Sequence, residues 1–306
     1  MSCRVVSGCE THGEHHVDDH RAALTCEDGP VRILVTNDDG ISSVGLHRLA
    51  QAMTRHGEVT VVAPDREFSG AGAALGALYR ITPEAHRVTL DGIDTAWAVN
   101  GAPALCVYFA RLGAFGGPFD LVVSGINPGA NVGWSVYHSG TIGACLTARN
   151  GGISGIAVSQ AVTGWGVLGQ GWDDMIKDQH WDSAAQVADT FMDGFLANGL
   201  PAEPVVVNIN VPDMPVDQMA GWRRTEVANR PIRTMATADL LPIEGQTDSY
   251  RVKVAYGDRT ELPVSTDGGA IEADEVSITY LSRLAHVDTP DVSDTAGALD
   301  RLLGRA

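Results

Sequence analysis

From Val31 onward, short unbroken apolar runs alternate with amphipathic stretches, and that alternation predicts the architecture. VRILVT (31–36), VTVVAP (59–64), DLVVSGIN (120–127), GIAVSQ (155–160) and VVVNINVP (205–212) leave no polar face, so they predict strands covered on both sides. Leu46, Leu49, Ala50 and Met53 recur at helical spacing between the first two runs, and Gly57 reads as the stop of that helix. Further helices are predicted over 104–112, 141–149 and 181–198. The last places Ala184, Val187, Ala188, Phe191 and Phe195 on one face, with Gly199 as its C-cap. Residues 79–99 alternate as a hairpin does, and beyond about residue 213 the pattern turns β-rich, with a strand expected at 275–282. The pattern predicts an α/β fold: a Rossmann-like, doubly wound, mostly parallel sheet followed by a β-rich C-terminal extension. One α/β domain is expected over 31–285, with a C-terminal tail at 286–306.

Residues 1–30 stand apart. They carry His12, His15, His16, His20, Cys3, Cys9 and Cys26 but few large apolar side chains, which predicts a disordered N-terminal extension. An accessory zinc site is the other reading, although the cysteine spacing matches no ribbon or finger. Across all 306 residues, 44% hydrophobic and 19% charged positions suit a folded globule rather than a disordered chain. Lys and Arg total 21 against 38 Asp and Glu, and a net charge of −17 argues against a nonspecific grip on a nucleic-acid polymer or an anionic membrane. No apolar run reaches the roughly 18–20 residues of a membrane span. The first residues lack the apolar core of a signal peptide, and five cysteines without framework spacing suit a reducing compartment, so a cytoplasmic protein is expected.

Ligands of open α/β sheets bind beyond the carboxyl ends of the strands, so those ends carry the candidate chemistry. The first run ends in Asn37-Asp38-Asp39-Gly40. Adjacent carboxylates that converge at a turn repel, and a divalent cation relieves the repulsion. The alternative is an Asx turn in which Asp39 caps the next helix. The second run leads to Ser69-Gly70, and the run at 120–127 ends in Ser124-Gly125-Ile126-Asn127 before Pro128-Gly129-Ala130-Asn131. Asp, Ser and Asn oxygens on one rim suit a hard cation such as Mg²⁺, Mn²⁺ or Ca²⁺. Ser139-Gly140-Thr141 opens a helix whose free N–H groups and dipole suit a phosphate.

TNDDG (36–40), APDREFSGAG (63–72), VSGINPGANVG (123–133) and SGT (139–141) resemble, in order and separation, the SurE family of metal-dependent 5′/3′-nucleotidases. NINVP (208–212) and VSIT (276–279) are similar to later segments of that family. The resemblance implies hydrolysis of nucleoside monophosphates with one divalent cation per subunit, Mg²⁺ or Mn²⁺. The cation would be held by Asp38, Asp39, Ser69 and Asn127, with Asp38 and Asp39 also serving the attacking water. Asn131, Ser139, Gly140 and Thr141 would surround the phosphate. It further implies a Rossmann-like fold whose C-terminal hairpin is exchanged between subunits, giving homodimers or homotetramers.

Two positions depart from the family pattern. Leu284 falls where an acidic residue is usual, with His286 and Asp288 nearby, and Leu105 stands where an Asp is common. The departure at Leu284 motivates a second reading, a nucleotide-binding protein with weak or no turnover. A phosphatase working through an aspartyl phosphate, or a phospho-receiver module, would need a lysine at the site, and this chain has only Lys177 and Lys253. Cys106 and Cys145 sit in apolar helical contexts and are expected to be inert buried thiols. His47 and His56 are expected at the surface. His138 lies beside the phosphate segment in either a contacting or a structural role, and Trp134 and Tyr137 either stack on a base or pack the loop.

Overall fold

The computed structural model describes residues 29–76, 78, 80, 82–162, 176–284 and 295–304. In chain order its strands are β1 (Arg32–Thr36), β2 (Glu58–Pro64), β3 (Ala85–Leu90), β4 (Ile93–Val99), β5 (Leu121–Pro128), β6 (Ser154–Gln160), β7 (Val206–Val211), β8 (Gly221–Thr225), β9 (Arg233–Pro242), β10 (Tyr250–Arg259) and β11 (Glu275–Leu281). Its helices are α1 (Val44–Met53), α2 (Pro103–Arg111), α3 (Gly140–Asn150), α4 (Trp181–Leu196), α5 (Asp267–Glu272) and α6 (Thr295–Leu302). The first 28 residues and the positions of His286 and Asp288 lie outside the described residues. Among those described, no helix is long and apolar enough to cross a membrane.

Nine strands form one sheet in the order β3-β4-β2-β1-β5-β6-β7-β11-β8. Its centre, from β4 to β7, is parallel, while β3 and β11 pair antiparallel with β4 and β7. Consecutive side chains of a strand point to opposite faces, so an unbroken apolar run must find cover twice. In β1, Ile33 and Val35 join the cluster that includes Leu46, Leu49 and Met53 of α1 and Ala184, Ala188 and Met192 of α4. Leu34, between them, joins Cys106, Val107 and Ala110 of α2 and Ala144 and Ala148 of α3. Truncating a fully buried side chain such as Leu49 to alanine costs about 2–5 kcal/mol.

Two expectations are corrected. Gly57 does not stop α1, which ends at Met53 with Thr54 as its cap. A Cβ on Gly57 would lie 2.0 Å from the Val31 carbonyl oxygen, so close approach to the start of β1 requires the glycine. His56 is not at the surface, whereas His47 is half-buried. His47 Nε2 lies 3.0 Å from the Ile41 carbonyl, and the His56 side chain is 6% exposed with Nε2 2.8 Å from Asp189 of α4. The β-rich C-terminal extension is present as expected, in two parts. β8 and β11 complete the main sheet, while β9 and β10 form a separate antiparallel hairpin. That hairpin exposes Leu240 and Val252, partners in its register, at 65% each, together with Leu241, Tyr250 and Val254.

Candidate active site at the carboxyl edge of the sheet

Beyond Thr36, the Asn37 amide donates to the Gly40 carbonyl at 3.1 Å and closes a turn. Gly40 has φ +97°, and a Cβ there would meet the Arg66 backbone at 3.1–3.3 Å. Two main-chain bonds tie this turn to the loop after β2: Phe68 N–H to the Asp38 carbonyl (2.7 Å) and Ile41 N–H to the Pro64 carbonyl (2.8 Å). Asp39 does not cap α1. The N-cap is Ser43, and it makes no side-chain capping bond.

Asp38 is 3% exposed, and its carboxylate is held by the start of α3. Oδ2 accepts the Gly140 N–H at 3.1 Å and Oδ1 the Thr141 hydroxyl at 2.5 Å. Helix N-termini stabilise an anion through free N–H groups and the dipole, and here that anion is a side chain of the protein. A Cβ at Gly140 would sit 2.8 Å from Asp38 Cβ and Oδ2, so only glycine permits the approach. Burial raises the Asp38 pKa, and the bonds from Thr141 and Gly140 oppose that rise. Asp39 is pushed up to about 8 by burial and then by the charges of Asp38 and Glu67. Its Oδ2 is buried without a hydrogen-bond partner among the described residues.

Asn127 lies at a register break in the pairing of β5 with β6, between Ser124 and Asn127, which re-aims its side chain. Its amide nitrogen donates to the Pro128 and Gly129 carbonyls at 3.3 and 2.6 Å. Carbonyls only accept, so the nitrogen is fixed as the end of the side chain that faces them. Ser69 is exposed on the loop after β2, and its hydroxyl donates to Glu67 Oε1 at 2.8 Å.

Asn131 is 8% exposed, and its amide nitrogen donates to Ser159 Oγ at 2.9 Å. Ser139 is the N-cap of α3, its Oγ accepting the Ile142 N–H at 3.1 Å. The loop after β2 lies against this helix end. Gly72 N–H donates to the His138 carbonyl at 2.9 Å, and a Cβ on Gly143 would come within 2.1 Å of the Gly72 carbonyl oxygen. Asp38, Gly140 and Thr141 are therefore in direct contact and Asp39 shares their field, while Ser69 sits at the exposed margin. Trp134 (55% exposed) and Tyr137 (74%) flank the helix entrance, and Trp134 Nε1–H donates to the Asn229 carbonyl.

The residues present fit a hard divalent cation. Asp38 is buried and the adjacent Asp39 half-buried with a buried Oδ2 that has no partner among the described residues, while Asn127, on the strand that pairs with β1, has its amide nitrogen tied back to carbonyls. Each Asp38 oxygen retains a second lone pair beside the bond it accepts. Among the described residues, no group of three or more His, Cys, Asp or Glu could hold a metal, so Ser and Asn oxygens would complete the set.

Sequence reasoning missed Glu67, which adds negative charge to Asp39, and Asp267. The latter is fully buried at the start of α5, accepting N–H groups from Gly133 and Ala228 at 2.9 Å each and from Gly268 at 2.8 Å. The signal for Asp267 was weak, since one acid in a polar segment resembles many surface positions. Cys106 and Cys145 are fully buried, and burial pushes both thiols up, as expected of inert cysteines. Leu105 is buried against Gly101, whereas Leu284 is 98% exposed.

A mostly parallel α/β sheet whose carboxyl edge sets an acidic pair against a helix N-terminus is a Rossmann-like fold with an acidic candidate site. Residues 33–234 match the family model described as survival protein SurE. The 5′-nucleotidase SurE of Aeromonas hydrophila is 35% identical over 269 residues, covering 87% of this chain and 96% of the relative. That of Legionella pneumophila strain Philadelphia 1 is 38% identical over 257 residues, covering 82% and 90%. The crystal structure of the SurE protein from Aquifex aeolicus superposes with a TM-score of 0.65 at 26% identity, covering 89% of this chain and 99% of that one. The chain belongs to the SurE family.

Proposed function

We propose that this chain is a divalent-metal-dependent 5′-nucleotidase, hydrolysing nucleoside 5′-monophosphates, and 3′-monophosphates as a second substrate class, to nucleoside and phosphate. The observation that carries the reading is the Asp38–Asp39 pair, one carboxylate cupped by the start of α3 and the other with a buried, unpartnered oxygen. The names of the relatives, 5′-nucleotidase SurE, support the same activity.

Asp38, Asp39, Ser69 and Asn127 would hold Mg²⁺ or Mn²⁺, which supplies charge neutralisation at the phosphoryl oxygens and a more acidic water. The chain's own residues bind and orient the phosphate. Ser139 accepts the Ile142 N–H, which leaves its hydroxyl proton for a phosphate oxygen, and the Asn131 amide keeps one N–H beyond its bond to Ser159. Gly140 N–H and the Thr141 hydroxyl point at Asp38 and would serve the phosphate by exchanging that partner, with the dipole of α3 favouring the anion throughout. Asp38 or Asp39 orients the attacking water and takes its proton.

Assembly as a homodimer or homotetramer through the β9–β10 hairpin belongs to this reading, supported by the apolar pair Leu240 and Val252, which the isolated chain leaves exposed. The exposed Leu284 favours one rival, nucleotide binding without turnover. Phosphate release from several 5′- and 3′-monophosphates, with Mn²⁺, Mg²⁺ or chelator, tests both readings. Cation-dependent release supports the nucleotidase. Nucleotide binding by calorimetry with no release under any condition supports the rival.

A further inference from the structure

β7 contains two asparagines to which nothing above gives a role. Val207, Ile209 and Val211 belong to the main apolar cluster, so Asn208 and Asn210, alternating with them, face the opposite side of the sheet. Both are fully buried. In register, Asn210 lies between Ser159 of β6 and Ser277 of β11, and Asn208 pairs with Thr279. The Thr225 hydroxyl on β8 bonds to both Ser277 (2.8 Å) and Thr279 (2.7 Å). A buried polar stripe therefore crosses four strands.

The stripe converges on Asn131. The Asn131 N–H donates to Asn210 Oδ1 at 2.7 Å, and the Asn131 carbonyl accepts from the amides of Asn208 (2.8 Å) and Asn210 (3.2 Å). Ser159 Oγ accepts the Asn131 side-chain amide. Both main-chain polar groups of Asn131 are thus bound by side chains of one strand, and its side chain is bound by the next. Asn208 accomplishes this with a buried Oδ1 that has no partner among the described residues. An unpaired buried acceptor is a cost that an apolar residue would avoid, and such costs persist where placement serves function.

We propose that Asn208, Asn210 and Ser159 are positioning residues that aim the free N–H of the Asn131 amide at the substrate phosphate. This rests on Asn131 being a phosphate contact. The test uses the full chain with saturating Mn²⁺ and inorganic phosphate as probe, read as a competitive inhibition constant and as the phosphate-induced rise in melting temperature. Ser159→Ala deletes only the bond to the Asn131 side chain, so it keeps the question answerable if Asn210→Ala fails to fold. We expect each variant to raise the phosphate inhibition constant and the KM together, by about tenfold, with kcat changed far less. The double variant Asn131→Ala/Ser159→Ala should bind phosphate no more weakly than Asn131→Ala alone, because Ser159 acts through Asn131. If Asn131→Ala weakens phosphate but Ser159→Ala does not, or if the two effects add, the positioning role is wrong and the nucleotidase reading stands. If Asn131→Ala leaves phosphate binding unchanged, the phosphate assignment of Asn131 fails and this inference fails with it.

Discussion

Asp39→Asn should stabilise the metal-free protein at neutral and alkaline pH while destroying its response to cations. Asp39 titrates near 8 in the folded chain against an ordinary value of 3.8, because burial and the charges of Asp38 and Glu67 disfavour its ionised form. A carboxyl with a raised folded pKa gives the folded state the extra proton between the two values. Its stabilising contribution is complete below about pH 4 and is lost as pH rises toward 8, at about 1.4 kcal/mol per pH unit. From about pH 5 to about pH 7 the loss is ~3 kcal/mol, or roughly 5 °C in melting temperature for a chain of this size. Asparagine carries no proton to lose, so the variant should show a flatter profile and melt higher than wild type in chelator at pH 7. Saturating Mn²⁺ should restore the wild type at pH 7 and leave the variant unchanged. Thermal melts of both proteins across that range, with chelator and with Mn²⁺, measure the four curves. Equal pH slopes for wild type and variant in chelator would refute the reasoning, because the burden assigned to Asp39 would then lie elsewhere.

Asp38→Asn should abolish most phosphate release at saturating Mn²⁺ with a melting temperature close to wild type; near-wild-type turnover would remove Asp38 from the site. Gly140→Ala should displace the Asp38 carboxylate, since its Cβ would fall 2.8 Å from Oδ2, and should raise the Mn²⁺ concentration needed for half-maximal activity at least tenfold. An unchanged Mn²⁺ requirement would contradict that contact. Leu240→Asp combined with Val252→Asp should convert an oligomer to monomers by light scattering while far-UV circular dichroism stays unchanged. A retained oligomer would show that the hairpin is not the interface.

The central strands were readable because burial on both faces leaves an unbroken apolar run, a local signal that needs no knowledge of partners. The candidate acids were readable for a related reason: they follow the end of such a run, where parallel sheets place their ligands. What holds those acids was not readable. Gly140, whose N–H Asp38 accepts, is 102 positions away in sequence, and only the packing of α3 against the first turn brings them together. His56 was misjudged for the same reason, since its partner Asp189 lies on α4. Gly57 shows the limit from the other side: glycine after a helix suggests a cap, but the deciding contact is with Val31, before that helix begins. Asn208 and Asn210 did leave a trace, two amides spaced by two inside an apolar strand. The trace says that one face meets something polar without saying what.

Asp267 gives the C-terminal third of the chain a standing that its position at the far end conceals. One carboxylate binds Gly133, just past Asn131, and Ala228, five residues before the hairpin strand β9 begins. The segment launching the hairpin and the loop carrying Asn131 are thus fastened to the same fully buried group. Modularity fails at this joint. A gene fragment ending after β7 would retain both acids and α3 yet lose the fastening of the loop between them. Variation in the hairpin that shifts its root reaches the Asn131 loop through Asp267, and under the proposed function it would disturb phosphate binding even where no hairpin residue approaches a substrate.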